Sequence, residues 1–226
     1  MSKANPEKKK LIQRVMVVDD HPILRQGLAQ LINQEMDIEV CCNAEDPVSA
    51  LEVIGQCRPD IAIIDITLGQ NSGLRLIEDL SQKYSDIPIL ALSMHDESLY
   101  AERCIRAGAK GYIMKKEPPE KVISALKKIL RGEIYVSDHV STKLLHKFIA
   151  RQPGVHSSPV EQLSNRELEV FEFIGQGLKT REVAERLNLS VKTIETYIAH
   201  IKTKMNFKDS RDLFKHAIQW IMGEKL

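Results

Sequence analysis

Val15-Met16-Val17-Val18-Asp19-Asp20 sets four apolar residues directly before two carboxylates. A short run that is β-branched and apolar at almost every position is the pattern of a parallel strand covered by helices on both faces. The pattern recurs in Ile61-Ala62-Ile63-Ile64, followed by Asp65, and in Ile89-Leu90-Ala91-Leu92, followed by Ser93. Ile38-Glu39-Val40-Cys41 and Gly111-Tyr112-Ile113-Met114 complete five predicted strands. Helical stripes separate them: Leu24, Leu28 and Leu31 form one, and Val122, Ala125, Leu126 and Ile129 form another. From Ile12 to about Gly132 this alternation predicts an α/β domain, a (βα)5 doubly wound sheet whose chemistry lies at the carboxyl ends of the strands.

Asp19 and Asp20 follow the first predicted strand and Asp65 follows the third. In a doubly wound sheet those two strand ends are neighbours, so the three carboxylates converge on one pocket. Like charges at that spacing repel unless a hard cation takes them as oxygen ligands, which points to Mg2+. The plain alternative is that each aspartate caps the helix after it, a common role for a single Asp and a poor account of three. Ser93 ends the fourth strand and Lys115 the fifth. A hydroxyl that donates and an ammonium that offsets charge suit a phosphoryl group held among the carboxylates.

After Ile134 the strand pattern stops. His139 to Ile149 reads as a helix with Leu144, Leu145 and Phe148 on one side, and Arg151 to Pro159, rich in Pro, Gly and Ser, reads as a flexible linker. Beyond it, Ser164-Asn165-Arg166-Glu167 matches a capping box, with Leu163 and Leu168 at hydrophobic-staple spacing. A second helix carries Val183, Ala184 and Leu187. Ser190 caps a third with Ile194, Ile198, Ile201 and Met205 inward, and a fourth carries Leu213, Ala217 and Ile221. Short amphipathic helices with a tight turn between the second and third describe an all-α helix-turn-helix unit. The third helix leaves Lys192, Glu195, Thr196, Ala199 and Lys202 outward, available to a major groove; Lys192, Lys202, Lys204 and Lys179 are candidate phosphate contacts, and Thr193 adds a neutral one. A solvated helix face is the ordinary reading of any one of these lysines. Leu213, Ala217, Trp220 and Ile221 make the fourth helix more apolar than a small core needs, which predicts a homodimer joined through it. The alternative for Leu213 and Ala217 is that they complete the monomer's own core.

The 226 residues carry 43% hydrophobic side chains and a formal net charge of +1, so any nucleic-acid surface must come from local placement of charge. Cys41, Cys42, Cys57 and Cys104 form no CxxC pair and read as small buried thiols kept reduced in cytosol. No apolar run approaches the length of a membrane span, and the basic start at Lys8 to Lys10 is not followed by a signal-peptide core, which predicts a cytoplasmic protein with no membrane partner. Neither a GxxxxGK[ST] nor a GxGxxG motif occurs.

Across Val15 to Arg131 the chain resembles the receiver domains of response regulators. The resemblance implies that Asp19 and Asp20 hold Mg2+, that Asp65 accepts a phosphoryl group from a sensor histidine kinase, and that Ser93 and Lys115 bind the phosphate. It further assigns Thr67 a backbone-carbonyl contact to Mg2+ and makes Tyr112 the aromatic that swings inward on activation; a partly buried sheet residue is the plainer role for Tyr112. Gly69 stands where the family usually has proline. Leu163-Ser164, Arg166-Glu167, Glu169-Val170, Glu182-Val183-Ala184, Leu187 and Ser190-Val191-Lys192-Thr193-Ile194 resemble the LuxR-type DNA-binding domain, and the pairing with a receiver is that of the NarL/FixJ response regulators. Glu195 departs from the basic or donor residue of many relatives, which predicts a different base preference. The implied organisation is a tail over 1–11, a receiver over 12–133, a linker over 134–162 and a LuxR-type domain over 163–226. The implied protein is a two-component regulator of transcription that binds double-stranded DNA when phosphorylated, not an enzyme, with RNA polymerase as a further partner. Two readings compete with it. A phosphohydrolase with an aspartyl-phosphate intermediate would carry its nucleophile motif after the first strand, whereas Asp65 follows the third. A receiver that docks without being phosphorylated has no need of Asp65, Ser93 and Lys115 together.

Overall fold

The computed structural model describes residues 12–69, 71–95, 97–149 and 159–222. The expected tail over 1–11 and residues 151–158, where the sequence predicts a flexible linker, lie outside the described residues. The chain forms two compact units that divide between Ser141 and Thr142.

In the first unit, β1 (Gln13–Val18), β2 (Ile38–Ala44), β3 (Ile61–Asp65), β6 (Ile89–Ser93) and β7 (Gly111–Met114) form a parallel sheet in the order β2-β1-β3-β6-β7. A two-stranded ribbon, β4 (Thr67–Leu68) against β5 (Asn71–Ser72), rises from the end of β3. All five predicted strands are present, extended by one to three residues except the last. The connecting helices are α1 (Pro22–Asn33), α2 (Pro47–Cys57), α3 (Gly73–Lys83), α4 (Glu97–Arg106) and α5 (Glu120–Ile129). Proline at the first helical position suits α1 and α2, because an amide there has no intrahelical partner to lose. Strand residues alternate between two dry layers. Val15, Val17, Ile61, Ile63, Leu90, Leu92 and Ile113 pack with Leu28 and Ile32 of α1 and with Val122, Leu126 and Ile129 of α5. Met16, Val18, Ala62, Ile64 and Ala91 are equally inaccessible and face the opposite layer.

The unit extends eight residues past the expected boundary at 133 because the chain returns to the sheet: Tyr112 N donates to Tyr135 O at 2.9 Å, Tyr135 N donates to Lys110 O at 2.9 Å, and Val140 is buried. The predicted 134–162 linker therefore begins as ordered structure, with the division between units inside α6 (Asp138–Ile149).

A second correction concerns the cysteines. Cys42 and Cys57 form a disulfide, with their Cα atoms 6.2 Å apart, in place of the expected free thiols. Its cause is a β-bulge: Val15 pairs with Val40 but Met16 pairs with Cys42, so Cys41 is an extra residue in β2. Without it Cys42 would take the layer of α1 and α5; with it Cys42 shares the layer of Met16, where Cys57 ends α2.

The second unit, after the 3-10 turn Pro159–Gln162, consists of α7 (Asn165–Gly175), α8 (Thr180–Arg186), α9 (Val191–Lys204) and α10 (Ser210–Ile221). The capping box forms as its sequence predicts, Ser164 N donating to Glu167 Oε2 at 2.7 Å and Glu167 N to Ser164 Oγ at 3.3 Å. Leu163 and Leu168 are both buried, as a staple requires. The turn between α8 and α9 closes where Asn188 adopts φ +52 and Leu189 N donates to Ala184 O. Ile194 and Ile201 of α9 and then Met205 face the core, with Ile198 half-buried beside them.

Gly73 fixes the floor under the end of β3. Its amide donates to Ile66 O at 3.0 Å, and a Cβ at this position would lie 1.8 Å from Asp65 O. Gly73→Ala should therefore destabilise the first unit by about 2–4 kcal/mol. Gly27 of α1, with nothing within 4 Å of a Cβ, should become about 0.5–1 kcal/mol more stable as Ala. Urea unfolding followed by circular dichroism checks both, and a neutral Gly73→Ala would overturn the packing argument.

Candidate functional site

The parallel register sets the strand ends in a row: Val18 pairs with Ile64, Asp65 with Leu92 and Ser93 with Met114. Asp19, Asp65, Ser93 and Lys115 thus emerge at one edge from four adjacent strands. Lys115 Nζ lies 2.6 Å from Asp65 Oδ2 and 2.8 Å from Asp19 Oδ2, and all three side chains are nearly inaccessible. Thr67 N donates to the other Asp65 oxygen at 3.0 Å. Ser93 Oγ is buried and accepts the His95 amide at 2.9 Å. Tyr112 is buried with its hydroxyl donating to His95 O at 2.9 Å, so the ring occupies an inward position.

Burial pushes the Asp65 carboxyl up to about 6, against the opposing pull of the Lys115 ammonium and the Thr67 amide; the Asp19 charge adds to the rise. Burial depresses Lys115, but its hydrogen bonds to Asp19 and Asp65 outweigh that and hold the ammonium above its ordinary value. One ammonium thus faces a group of acidic side chains. Ligand atoms of Asp19, Asp20, His21 and Asp65 lie within 4.8 Å of one another. Asp19 Oδ2 lies 2.8 Å from Lys115 Nζ and Asp20 Oδ1 2.8 Å from His21 Nδ1, and these two buried oxygens have no further partner among the described residues. Hard carboxylate oxygens gathered this closely, with a single ammonium among them, are what a small divalent cation takes as ligands, so the residues fit Mg2+.

In the second unit, Val191, Lys192, Glu195, Thr196 and Ala199 are exposed along α9, and Lys202 is half-buried. Lys179 is exposed ahead of α8. Two candidates have other employment. Thr193 Oγ1 lies 2.8 Å from Ser190 Oγ within the cap, and Lys204 Nζ lies 2.6 Å from Glu167 Oε2. On α10, Leu213 and Ala217 are fully buried in the monomer's core, which corrects their assignment to a dimer face. Trp220 is half-buried with its ring 5.8 Å from Phe171, while Ile221 remains exposed, accompanied by Phe214, Ile218 and Met222.

The family described as the response regulator receiver domain matches residues 15–127, and that described as bacterial regulatory proteins, luxR family, matches 161–217. The oxygen regulatory protein NreC of Staphylococcus epidermidis is 35% identical over 211 residues, covering 91% of this chain and 97% of its own. The chain belongs to the LuxR-type response regulators. NreC of Staphylococcus carnosus is similar at 34% identity, over 91% of this chain and 97% of its own. Among solved structures, a LuxR-family response regulator from Aurantimonas aligns with TM-score 0.56 and 30% identity over 61% of this chain and 99% of its own. The Salmonella typhimurium response regulator RcsB shares the fold, with TM-score 0.71 and 22% identity over 96% of this chain and all of its own.

Within this response regulator the departure at Gly69 has a physical reason. Its φ of +56 is a left-handed conformation that proline, locked near −65, cannot adopt. Sequence reading missed His21, whose amide donates to Asp19 Oδ1 at 2.8 Å, and Arg25, which donates to Asp19 O. It also missed His95, beside Thr67 Oγ1 at 3.3 Å. For His21 and His95 the available signal was position, directly after Asp20 and two residues after Ser93; Arg25, inside α1, gave none.

The raised Asp65 carboxyl yields a titration with a defined sign. Between its ordinary value of 3.8 and about 6, the folded metal-free protein holds a proton that the unfolded chain releases. This group's contribution to stability thus declines as pH rises across that window, and Asp65 is a free carboxylate only above it. Carbon-13 titration of the Asp65 carboxyl should show a midpoint near 6, moved higher by Lys115→Ala. A midpoint at or below 3.8 would refute the burial argument.

Proposed function

We propose that this response regulator accepts a phosphoryl group on Asp65 from the phosphohistidine of a sensor histidine kinase and, once phosphorylated, binds double-stranded DNA to regulate transcription. The observation that carries the first half is the Lys115 ammonium bridging Asp65 and Asp19 at 2.6 and 2.8 Å. In this reading an Asp65 carboxylate oxygen attacks phosphorus in line as the bond to the histidine nitrogen breaks. Lys115 exchanges one of its carboxylate partners for a phosphoryl oxygen. Ser93 Oγ accepts the His95 amide with one lone pair, which leaves its hydroxyl proton available to donate to that oxygen. Asp19, Asp20, Asp65 and the Thr67 backbone carbonyl would hold Mg2+, which supplies charge to neutralise the transferred group. Tyr112, tied to His95 O, would report the change from the Ser93 side of the pocket. The competing phosphohydrolase reading lacks its nucleophile motif after β1, and the article of exchange here is a regulatory charge rather than a product. Among the described residues no helix is long and apolar enough to cross a membrane, and a DNA-directed role supports a cytoplasmic location.

Asp65→Asn should abolish phosphoryl incorporation from acetyl phosphate, and Asp20→Asn should weaken Mg2+ binding; intact mass and fluorescence titration provide the readouts. Phosphorylated Asp65→Asn protein would sink the assignment.

For DNA, the exposed face of α9 supports major-groove entry, with Glu195, Thr196 and Ala199 toward bases and Lys192, Lys202 and Lys179 toward phosphates. Phe214, Ile218, Ile221 and Met222 follow one face of α10 and its end, and support pairing with a second copy in place of Leu213 and Ala217. Lys192→Ala and Lys202→Ala should each lower the slope of log affinity against log salt by about one unit. Lys204→Ala should act mainly on stability, because its partner is Glu167. Ile218→Asp with Ile221→Asp should remove cooperative binding to a two-half-site operator; full cooperativity in the folded variant would reject this face.

A further inference from the structure

Three of the four cysteines meet at one place in the receiver: the sulfurs of Cys41, Cys42 and Cys57 lie within 4.8 Å of one another. Cys41 Sγ is 3.8 Å from Cys42 Sγ and donates to Val15 O at 3.4 Å. This convergence depends on a local feature, because only the extra residue in β2 turns Cys42 into the layer that contains the end of α2. All three cysteines are partly accessible, whereas Cys104 is sealed in the core. A permanent staple is what small folds with little core require. The inner strands of this sheet are dry on both faces, and a core of that extent has no such need.

We propose that Cys42 and Cys57 form a reversible thiol–disulfide site that exchanges with low-molecular-weight disulfides and thiols, with the observed bond as its oxidised form. Oxidation begins when the thiolate of one cysteine attacks a sulfur of RSSR, giving a mixed disulfide and releasing RS−. The thiolate of the other attacks the protein sulfur of that mixed disulfide, forming the Cys42–Cys57 bond and releasing a second RS−. Two protein thiols lose two electrons and two protons, and RSSR becomes two RSH. Cys41 stays outside the cycle: its thiol is engaged with Val15 O, and burial raises it above the ordinary value, with the Arg14 guanidinium opposing. The bond joins α2 to the strand whose Ala44 carbonyl receives the Asp19 amide, which ties the site to the frame of the acidic pocket. The inference stands independently of the phosphoryl and DNA readings.

The test equilibrates the full chain with mixtures of glutathione and glutathione disulfide, traps free thiols by alkylation and measures intact mass. As the mixture becomes more oxidising, two of the four thiols should escape alkylation together with no glutathione retained, and peptide mapping should link Cys42 to Cys57. Dithiothreitol should restore all four. Cys57→Ser should retain one glutathione on Cys42, while Cys41→Ser and Cys104→Ser should leave the two-thiol step unchanged. Four alkylated thiols at every ratio, a link between two chains, a Cys41–Cys42 link, or a bond that dithiothreitol does not reduce would each overturn the proposal; mapping of the unaltered chain decides even if a variant fails to fold.

Discussion

The buried ion pairs of Lys115 with Asp65 and Asp19 are the constraint on which the first unit depends. Charged groups removed from water are costly unless paired, and removing one partner costs more than the pair ever contributes. A sheet whose strand ends must hold them within 3 Å cannot slip in register, since a one-residue shift reverses every side chain. The apolar cores of β1 and β3 supply the stability, and the carboxyl edge draws on it. Asp65 stands higher in proton affinity than a solvated carboxyl because burial of that edge outweighs the pull of the Lys115 ammonium and the Thr67 amide.

Small backbone features then set where each group points. Gly73 admits the Asp65 carbonyl at a distance no side chain allows, and the left-handed Gly69 lets the β4–β5 ribbon turn back beside Asp20. In β2 the bulge performs the reverse task. One added residue, Cys41, exchanges the layers of its successors, so the edge strand faces α2 with a cysteine instead of turning it toward α1.

Much of this was legible in the sequence, and the reason is local. Strands such as Ile61 to Ile64 are apolar at every position because both faces are covered, and Ser164 with Glu167 spells a cap whose partners are three residues apart. What was not legible depends on contacts far apart in the chain. The return of Tyr135 beside Gly111 is a backbone pairing that no side-chain pattern announces. The bulge at Cys41 is a count of residues against a neighbouring strand. On α10, periodicity correctly marked an apolar helix but could not divide one stripe between core and surface: Leu213 and Ala217 are buried, Ile221 lies beside Gly175 of α7 while still partly exposed, and Phe214 and Ile218 are exposed.

Glu167 shows how the second unit resolves a similar conflict. Burial alone would push its carboxyl up, yet the Lys204 ammonium and the Ser164 amide hold it below the ordinary value. The same side chain thereby caps α7 and anchors the last turn of α9, with His200 Nδ1 3.7 Å away. For Lys204 to reach a phosphate it would have to leave that carboxylate buried without its cation, a loss that one exposed phosphate contact in high dielectric does not offset. Lys204 therefore braces the helix. In the proposed DNA complex, phosphate contact on α9 would fall to Lys192 and Lys202, which have no such partner to abandon among the described residues, while the Lys204–Glu167 pair ties α9 to α7.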